Sequence, residues 1–278
     1  MVDKQIVERH FSRAAAAYDT YACVQKKMAY ALLEQAQPLA AAQAVLEIGC
    51  GTGFLTQLLL EACPQAAILA SDIAPGMLAA AQQRLAGSPR LQFAIKDGEA
   101  LSEQTAYDVV ISNAVFQWFT HPQAAFQRIF ASLRPGGQLV FATFGPRTFW
   151  ELHAACRAAA ERNQLAGSWQ TGPEFLSSAQ LAVCAGRAGF QSRFAMQEYQ
   201  EYFPAVRDFL HSVKKVGANN SAGSGKTLVS RRAMTDMMEL YAASFGCEGR
   251  IPATYQVIYG ICEKPLLAEA ASFAASQV

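Results

Sequence analysis

Val45-Leu46-Glu47-Ile48-Gly49-Cys50-Gly51-Thr52-Gly53 is the stretch that decides the fold of this chain. A short apolar run is followed by three glycines at alternate positions, with an acid, Glu47, near the end of the run. The run suits a strand buried on both faces in a parallel sheet. The glycines let the backbone turn sharply and let a ligand approach it without a Cβ in the way. Phe54 to Ala62 then reads as a helix, so the turn sits at a helix N-terminus. Strand, glycine-rich turn and helix in that order place a nucleotide-like ligand at the carboxyl end of a parallel sheet.

The spacing narrows the ligand. A dinucleotide fingerprint reads G-x-G-x-x-G and seats a pyrophosphate on the helix N-terminus. Here the pattern is E-x-G-x-G-x-G. It resembles the first motif of the S-adenosylmethionine-dependent methyltransferases. That cofactor has no phosphates, and its cationic groups tolerate Glu47 where a pyrophosphate would not. The resemblance implies that Glu47, Gly49, Cys50, Gly51 and Gly53 line the cofactor.

At 278 residues the chain has room for one large α/β domain, or one domain with a sizeable insertion. It is 52% hydrophobic and 16% charged, which fits a soluble globule with a large core and argues against disorder. A formal net charge of +1 gives no global field to recruit nucleic acid or membrane, so neither partner is expected. No apolar run approaches the roughly 18 residues of a membrane span. Residues 1–10 mix acids and bases and lack a signal-peptide apolar region, so cytoplasmic residence is expected. Seven scattered cysteines without a C-x-x-C pair speak against a disulfide framework or a zinc site, and no metal is expected.

Residues 3–37 read as amphipathic helix. Strands and helices then alternate: strands at 44–48, 67–71, 91–95, 107–111 and 138–143, with helices at 54–62, 75–85 and 121–133. The breaker Arg134-Pro135-Gly136-Gly137 stops the last of these helices. The rhythm predicts a doubly wound, mostly parallel sheet. Later, helices are expected at 148–165, 172–187, 204–216 and 228–245, and strands at 190–203 and 252–264. Expected units are a helical N-terminal lid (1–40), a sheet domain (41–263) with a helical insertion at about 204–250, and a tail (264–278). Gly223-Ser224-Gly225-Lys226-Thr227 is not a phosphate loop, because Asn220 stands where the first glycine must be and no strand precedes it.

Three strand ends carry polar groups. Asp72, with Ile73 beside it, can accept both ribose hydroxyls, or it can simply cap the helix ahead of Pro75. Asp97, followed by Gly98 and Glu99, can accept from an adenine amino group. Asn113 would face the cofactor's methionine end. Gln117 and Trp118 lie just beyond, near the expected methyl. Tyr18 sits in the helical prelude, where a lid excludes water. From residue 204 to 250, seven bases stand against four acids, a local excess suited to an acidic partner.

Phe11-Ser12-Arg13 with Tyr18-Asp19 and Gln25, the glycine motif, Asp72, Ser112-Asn113-Ala114-Val115-Phe116-Gln117-Trp118 and Leu133-Arg134-Pro135-Gly136-Gly137 together resemble the malonyl-acyl-carrier-protein O-methyltransferases of biotin synthesis. Phe144-Gly145-Pro146 and Lys214-Lys215-Val216-Gly217-Ala218-Asn219 extend the likeness. The resemblance implies a class I methyltransferase fold of seven strands. It implies S-adenosyl-L-methionine as cofactor and the free carboxylate of a malonyl thioester, on an acyl-carrier protein or coenzyme A, as acceptor. The acceptor is ionised at neutral pH, so no general base is required. A cation is expected to meet the carboxylate: Arg147 first, then Lys214 and His211. With Tyr18, Gln117 and Trp118 these are the expected substrate contacts. The alternatives are a small carboxylic acid or quinone-precursor acceptor, or a cofactor-binding module without catalysis. An NAD-dependent dehydrogenase is disfavoured by the glycine spacing.

Overall fold

The computed structural model describes residues 2–36, 39–165, 169, 172–218 and 230–266. Most of the loop expected at 217–227, including Lys226, and most of the tail lie outside the described residues. The elements run α1 (Lys4–Tyr21), α2 (Cys23–Gln35), β1 (Ala44–Ile48), α3 (Phe54–Ala62), β2 (Ala67–Asp72), α4 (Pro75–Arg84), β3 (Leu91–Ile95) and β4 (Tyr107–Asn113). They continue with α5 (Pro122–Ser132), β5 (Leu133–Phe144), α6 (Trp150–Arg162), α7 (Ser178–Ala188), β6 (Gln191–Phe203), α8 (Val206–Lys215), α9 (Arg231–Phe245) and β7 (Ile251–Glu263).

The seven strands form one sheet in the order β3-β2-β1-β4-β5-β7-β6. The pairs from β3 through β5 are parallel, and β7 runs antiparallel to both β5 and β6. The chain leaves β1 outward through β2 and β3, then returns to start the other half at β4. The order therefore reverses between β1 and β4, and the crevice beyond their carboxyl ends is where such sheets bind ligands.

Local chemistry explains most element boundaries. Val45, Leu46 and Ile48 are buried because helices cover both faces of β1. Pro122 opens α5, where its missing N–H costs nothing. Ser177 and Gln180 form a reciprocal capping box that starts α7. That cap sets the helix start at Ser178, so the expected helix from 172 is shorter than the sequence suggested. The expected single prelude helix breaks at Ala22, whose φ of −88° and ψ of 42° leave the helical range. The Arg134-Pro135-Gly136-Gly137 segment ends α5 but not the sheet. Pairing with β4 begins at Leu133 and resumes at Gln138, and a register shift between Tyr107 and Val109 absorbs the segment.

The prelude is tied into the core. Val24, Met28, Ala29 and Leu32 of α2 join the cluster that holds Val45, Ile111 and Val140 of the sheet. The α8–α9 insertion between β6 and β7 also shares this core through Phe209, Met237 and Tyr241. Among the described residues no helix is long and apolar enough to cross a membrane.

Candidate functional site

The glycine motif builds a tight ledge at the carboxyl end of β1. Gly49, Gly51 and Gly53 all take positive φ (72°, 55° and 84°), a range that side chains strain. The N–H groups of Gly49 and Cys50 both donate to the Ser71 carbonyl, at 2.7 and 2.9 Å, which ties the turn to the end of β2. Gly49 has a second reason to lack a side chain: a Cβ there would stand 2.2 Å from Cγ2 of Val115. The loop after β4 thus presses directly on the glycine ledge.

Acids surround the ledge. Asp72 is buried, and its two carboxylate oxygens accept from Gly51 N (2.9 Å) and Ala74 N (2.8 Å). Burial pushes its carboxyl up, against opposing donation from the Ala74, Gly51 and Ile73 backbone. Asp72 does not cap α4, whose N-cap is Ala74 without a side-chain cap; it braces the turn instead, and each oxygen keeps a further lone pair for a ligand hydroxyl. Glu47 is 1% exposed and accepts from the Thr56 hydroxyl at 2.6 Å. Burial drives its carboxyl up to about 8; the Thr56 donor opposes this and the charge of Asp72 adds to it. Asp97 accepts from Glu99 N at 3.0 Å and from Lys4 Nζ at 2.5 Å. Burial likewise raises the Cys50 thiol well above its ordinary value.

Asn113 is the most telling polar group. Its Nδ2 donates to the Gln25 carbonyl of α2 at 2.9 Å, while its Oδ1 is buried with no donor. Such orphans are rare in folded chains and point to a missing partner. Asn113, Asp72 and Asp97 line one cleft, whose open space is about 690 Å³. Its two lysines are already engaged: Lys4 with Asp97 and Glu99, Lys96 with Glu103. A wall of acceptors with spent cations repels phosphate. It fits a cationic ligand rich in hydroxyl and amino groups, as S-adenosyl-L-methionine is.

Helix α1 closes this cleft as a lid. Lys4, Val7, Phe11 and Tyr18, spaced three, four and seven apart, put one helical face on it. The helix is fastened at both ends. Lys4 pairs with Asp97 and Glu99, and Asp19 accepts from the Thr52 hydroxyl (2.6 Å) and pairs with Arg84. In between, Gly76 lets α4 approach closely, since a Cβ there would lie 2.5 Å from the Ser12 carbonyl oxygen. Burial opposes ionisation of Glu99, but Lys4 and the His121 and Thr120 donors outweigh it and hold that carboxyl below its ordinary value.

A second chamber, about 790 Å³ of open space, adjoins the first. Phe11, Tyr18, Ala114 and Trp118 line both. Its own wall is mostly aromatic, with Tyr21, Phe144, Phe149, Phe175 and Tyr255; α8 contributes Ser212 and Val213, and Val216 follows just past its end. Among the described residues no lysine or arginine lines it. His153 is its one basic side chain there, and burial lowers its ordinary basicity. The loop that separates the chambers is strained, with Ala114 at φ 58°. Gln117 braces it: its Nε2 donates to the Ala114 carbonyl (2.6 Å), and its Oε1 accepts from the Thr143 hydroxyl (2.9 Å).

Measured against the sequence reading, Gly49, Gly51, Asp72, Ile73, Asp97, Gly98 and Asn113 meet in the main cleft. Glu47 and Cys50 line a smaller recess beside it. Gly53 and Glu99 line neither. A Cβ on Gly53 would meet Ala81 at 3.1 Å, so this glycine serves helix packing; Glu99 anchors the lid. Tyr18, Gln117 and Trp118 line the second chamber, but Arg147, His211 and Lys214 do not. Arg147 is exposed and bound to Glu198 at 2.8 Å, on the outer side of the turn after β5. His211 is exposed, edge-on to the Tyr21 ring, and Lys214 lies on the outward face of α8. Lys4, Phe11, Thr148, Phe149, His153 and Tyr255 also line the two chambers, although no motif marks them as site residues. The periodicity of Lys4, Val7, Phe11 and Tyr18 was the available signal for the lid; the others come together only through the fold.

A family model described as a methyltransferase domain matches residues 46–139. The malonyl-[acyl-carrier protein] O-methyltransferase of Anoxybacillus flavithermus is 40% identical over 259 residues, covering 93% of this chain and 97% of its own. That of Acetivibrio thermocellus is 40% identical over 276 residues, covering 96% of each. Among solved structures, phosphoethanolamine N-methyltransferase 2 of Haemonchus contortus, in complex with S-adenosyl-L-methionine, superposes with a TM-score of 0.57 at 17% identity. That match covers 91% of this chain and 57% of the other, and it speaks for the fold alone.

Proposed function

The chain belongs to the malonyl-[acyl-carrier protein] O-methyltransferase family, and on that premise we propose that it methylates the free carboxylate of a malonyl group carried on an acyl-carrier protein. The cofactor is S-adenosyl-L-methionine, which when bound supplies an activated methyl group. The ester would mask the acyl chain's charge early in biotin synthesis. The observation that carries this reading is the pairing of an acceptor-lined cleft with an adjoining aromatic chamber, joined at Tyr18 and Trp118.

Each wall then has a task. Asp72 and Asp97 accept from the cofactor's hydroxyl and amino groups, and Asn113 Oδ1 receives an N–H that the protein does not supply. Glu47 adds negative charge when it ionises. The α1 lid, latched at Lys4 and Asp19, keeps water from the reacting groups. A malonyl carboxylate is already ionised at pH 7, so no side chain need act as a base. Catalysis is then mainly orientation, for which effective molarities of about 10⁵–10⁸ M set the scale.

The carrier protein is the finer part of the proposal. Helix α8 turns Ser212 and Val213 toward the second chamber and exposes Arg207 and Lys214 on its other side; Arg231 and Arg232 of α9 are exposed as well. An acidic carrier docked on those bases would place its thioester arm next to the chamber. The test offers labelled methyl donor with malonyl-carrier protein, malonyl-coenzyme A and succinyl-carrier protein in parallel. Label is expected on the malonyl-carrier protein first. No label on either malonyl acceptor would sink the proposal, and equal rates on the two would remove the carrier from it.

A further inference from the structure

The indole Nε1 of Trp118 is a buried donor without an acceptor. The residue is only 9% exposed, and it lines both the cofactor cleft and the second chamber. Buried donors in folded chains are nearly all paired, so this one calls for a ligand. The ring is held in place. Phe11 of the lid packs edge-on against it at 5.6 Å, and Trp118 N donates to the Val115 carbonyl at 2.8 Å. Tyr18, the other donor-bearing residue common to both chambers, lies against the same Phe11 ring at 6.5 Å. Burial keeps its phenol protonated, hence a donor.

We infer that the Trp118 indole N–H holds the acceptor's carboxylate at the junction of the two chambers, with the Tyr18 hydroxyl as second donor. The inference rests on the reading of the acceptor as a malonyl carboxylate. It replaces the cation expected from the sequence with neutral donors. The chamber agrees: among the described residues no lysine or arginine lines it, and Arg147 is engaged outside by Glu198.

The chemistry favours this choice. A C–O bond forms from one carboxylate oxygen as the methyl–sulfur bond breaks; that bond's electron pair stays on sulfur, and no proton moves. The acceptor's negative charge fades on the way to the transition state. A fixed guanidinium would stabilise the starting anion more than that state and so raise the barrier. A neutral N–H on the spectator oxygen grips less and still dictates which oxygen attacks. Hydrogen bonds to a charged acceptor are about twice as strong as neutral ones, so the donor relaxes its hold on the ester product.

The test uses the full chain with Trp118→Phe and Tyr18→Phe. Trp118→Phe keeps an aromatic ring against Phe11 but removes the donor together with the pyrrole half of the indole; that loss of bulk acts on malonyl- and acetyl-pantetheine alike, so the preference between them reads the donor. Malonyl-pantetheine and acetyl-pantetheine are titrated calorimetrically in the presence of S-adenosylhomocysteine. Wild type is expected to prefer the malonyl thioester, and Trp118→Phe to lose about tenfold or more of that preference. Tyr18→Phe should lose a smaller part. Affinity for S-adenosylhomocysteine should fall by clearly less than the malonyl preference, because Trp118 also lines the cofactor cleft but its donor serves the acceptor. Three outcomes would overturn the inference: no malonyl preference in wild type, an unchanged preference in Trp118→Phe, or a loss of cofactor affinity as large as the loss of preference. A wild type that prefers malonyl but transfers no methyl to it would sink the functional proposal and leave the Trp118 assignment standing.

Discussion

Gly49→Ala should cripple cofactor binding, and the structure sets the size of the loss. Gly49 sits at φ +72°, where a Cβ costs about 1–2 kcal/mol. The same Cβ would stand 2.2 Å from Val115 Cγ2, so the β4 loop or the glycine ledge must yield. Forcing extra atoms into a packed site costs about 1–3 kcal/mol more. Together these give about 2–5 kcal/mol, and both parts of the chain that must move form the cofactor cleft. A weakening of S-adenosyl-L-methionine binding of about 30- to 4,000-fold is expected by calorimetry, at about 1.4 kcal/mol per tenfold. The double variant Gly49→Ala, Val115→Ala separates the two causes. It removes the nearest clashing atom while Val115 Cβ stays 3.3 Å away, and it leaves the backbone strain untouched. About tenfold or more of the affinity should return, short of wild type. A Gly49→Ala protein that binds within twofold of wild type would refute the reasoning. So would a double variant no better than the single one, because then the close approach of the β4 loop does not matter.

Glu47 predicts a pH dependence. Its folded value, near 8, lies above its ordinary 4.5, so its contribution to the stability of the ligand-free protein is complete below 4.5 and is lost as pH rises toward 8. Urea midpoints at pH 5 and 8 should diverge in wild type and converge in Glu47→Gln, while Glu47→Gln binds the cationic cofactor more weakly at pH 8. Asn113→Ala removes both the free acceptor and the tie to Gln25; cofactor affinity by calorimetry should drop about 10- to 150-fold, the range for one buried hydrogen bond to a charged group. Asp19→Ala unfastens one end of the lid. Its ion pair is about 30% exposed and is worth under about 1 kcal/mol, with the Thr52 bond adding about as much. Stopped-flow release of S-adenosylhomocysteine should quicken by about 3- to 30-fold, with little change in the melting temperature of the ligand-bound form.

The half of the molecule nearest the glycine motif was readable because its signals are local. An apolar run, three glycines and an acid at the next strand end each fix their own backbone, and Gly49, Asp72, Asp97 and Asn113 meet in the cleft as the spacing implied. The lid was expected, but its working face was hidden because Lys4 and Tyr18 are polar members of an otherwise apolar stripe. The second chamber was out of reach for a different reason: Phe11, Trp118, Phe149 and Tyr255 stand far apart in sequence and meet only through the order of the sheet strands and the return of β7 beside β5. Arg147 misled for the same reason. Its place after β5 points to the crevice, but the ion pair with Glu198 of β6 draws it to the outer side. No pattern within the turn encodes a partner fifty-one residues away.

In the reaction proposed above, the chain moves a methyl group onto the distal carboxylate of an acyl thioester. The measurement that meets it most directly is a single-turnover reaction with methyl-labelled cofactor and malonyl-carrier protein, followed by release of the acyl group and mild alkaline hydrolysis. The account predicts label in an alkali-labile methyl ester of the malonyl group, in stoichiometric yield. Label that resists alkali, or that remains in the cofactor, would contradict it.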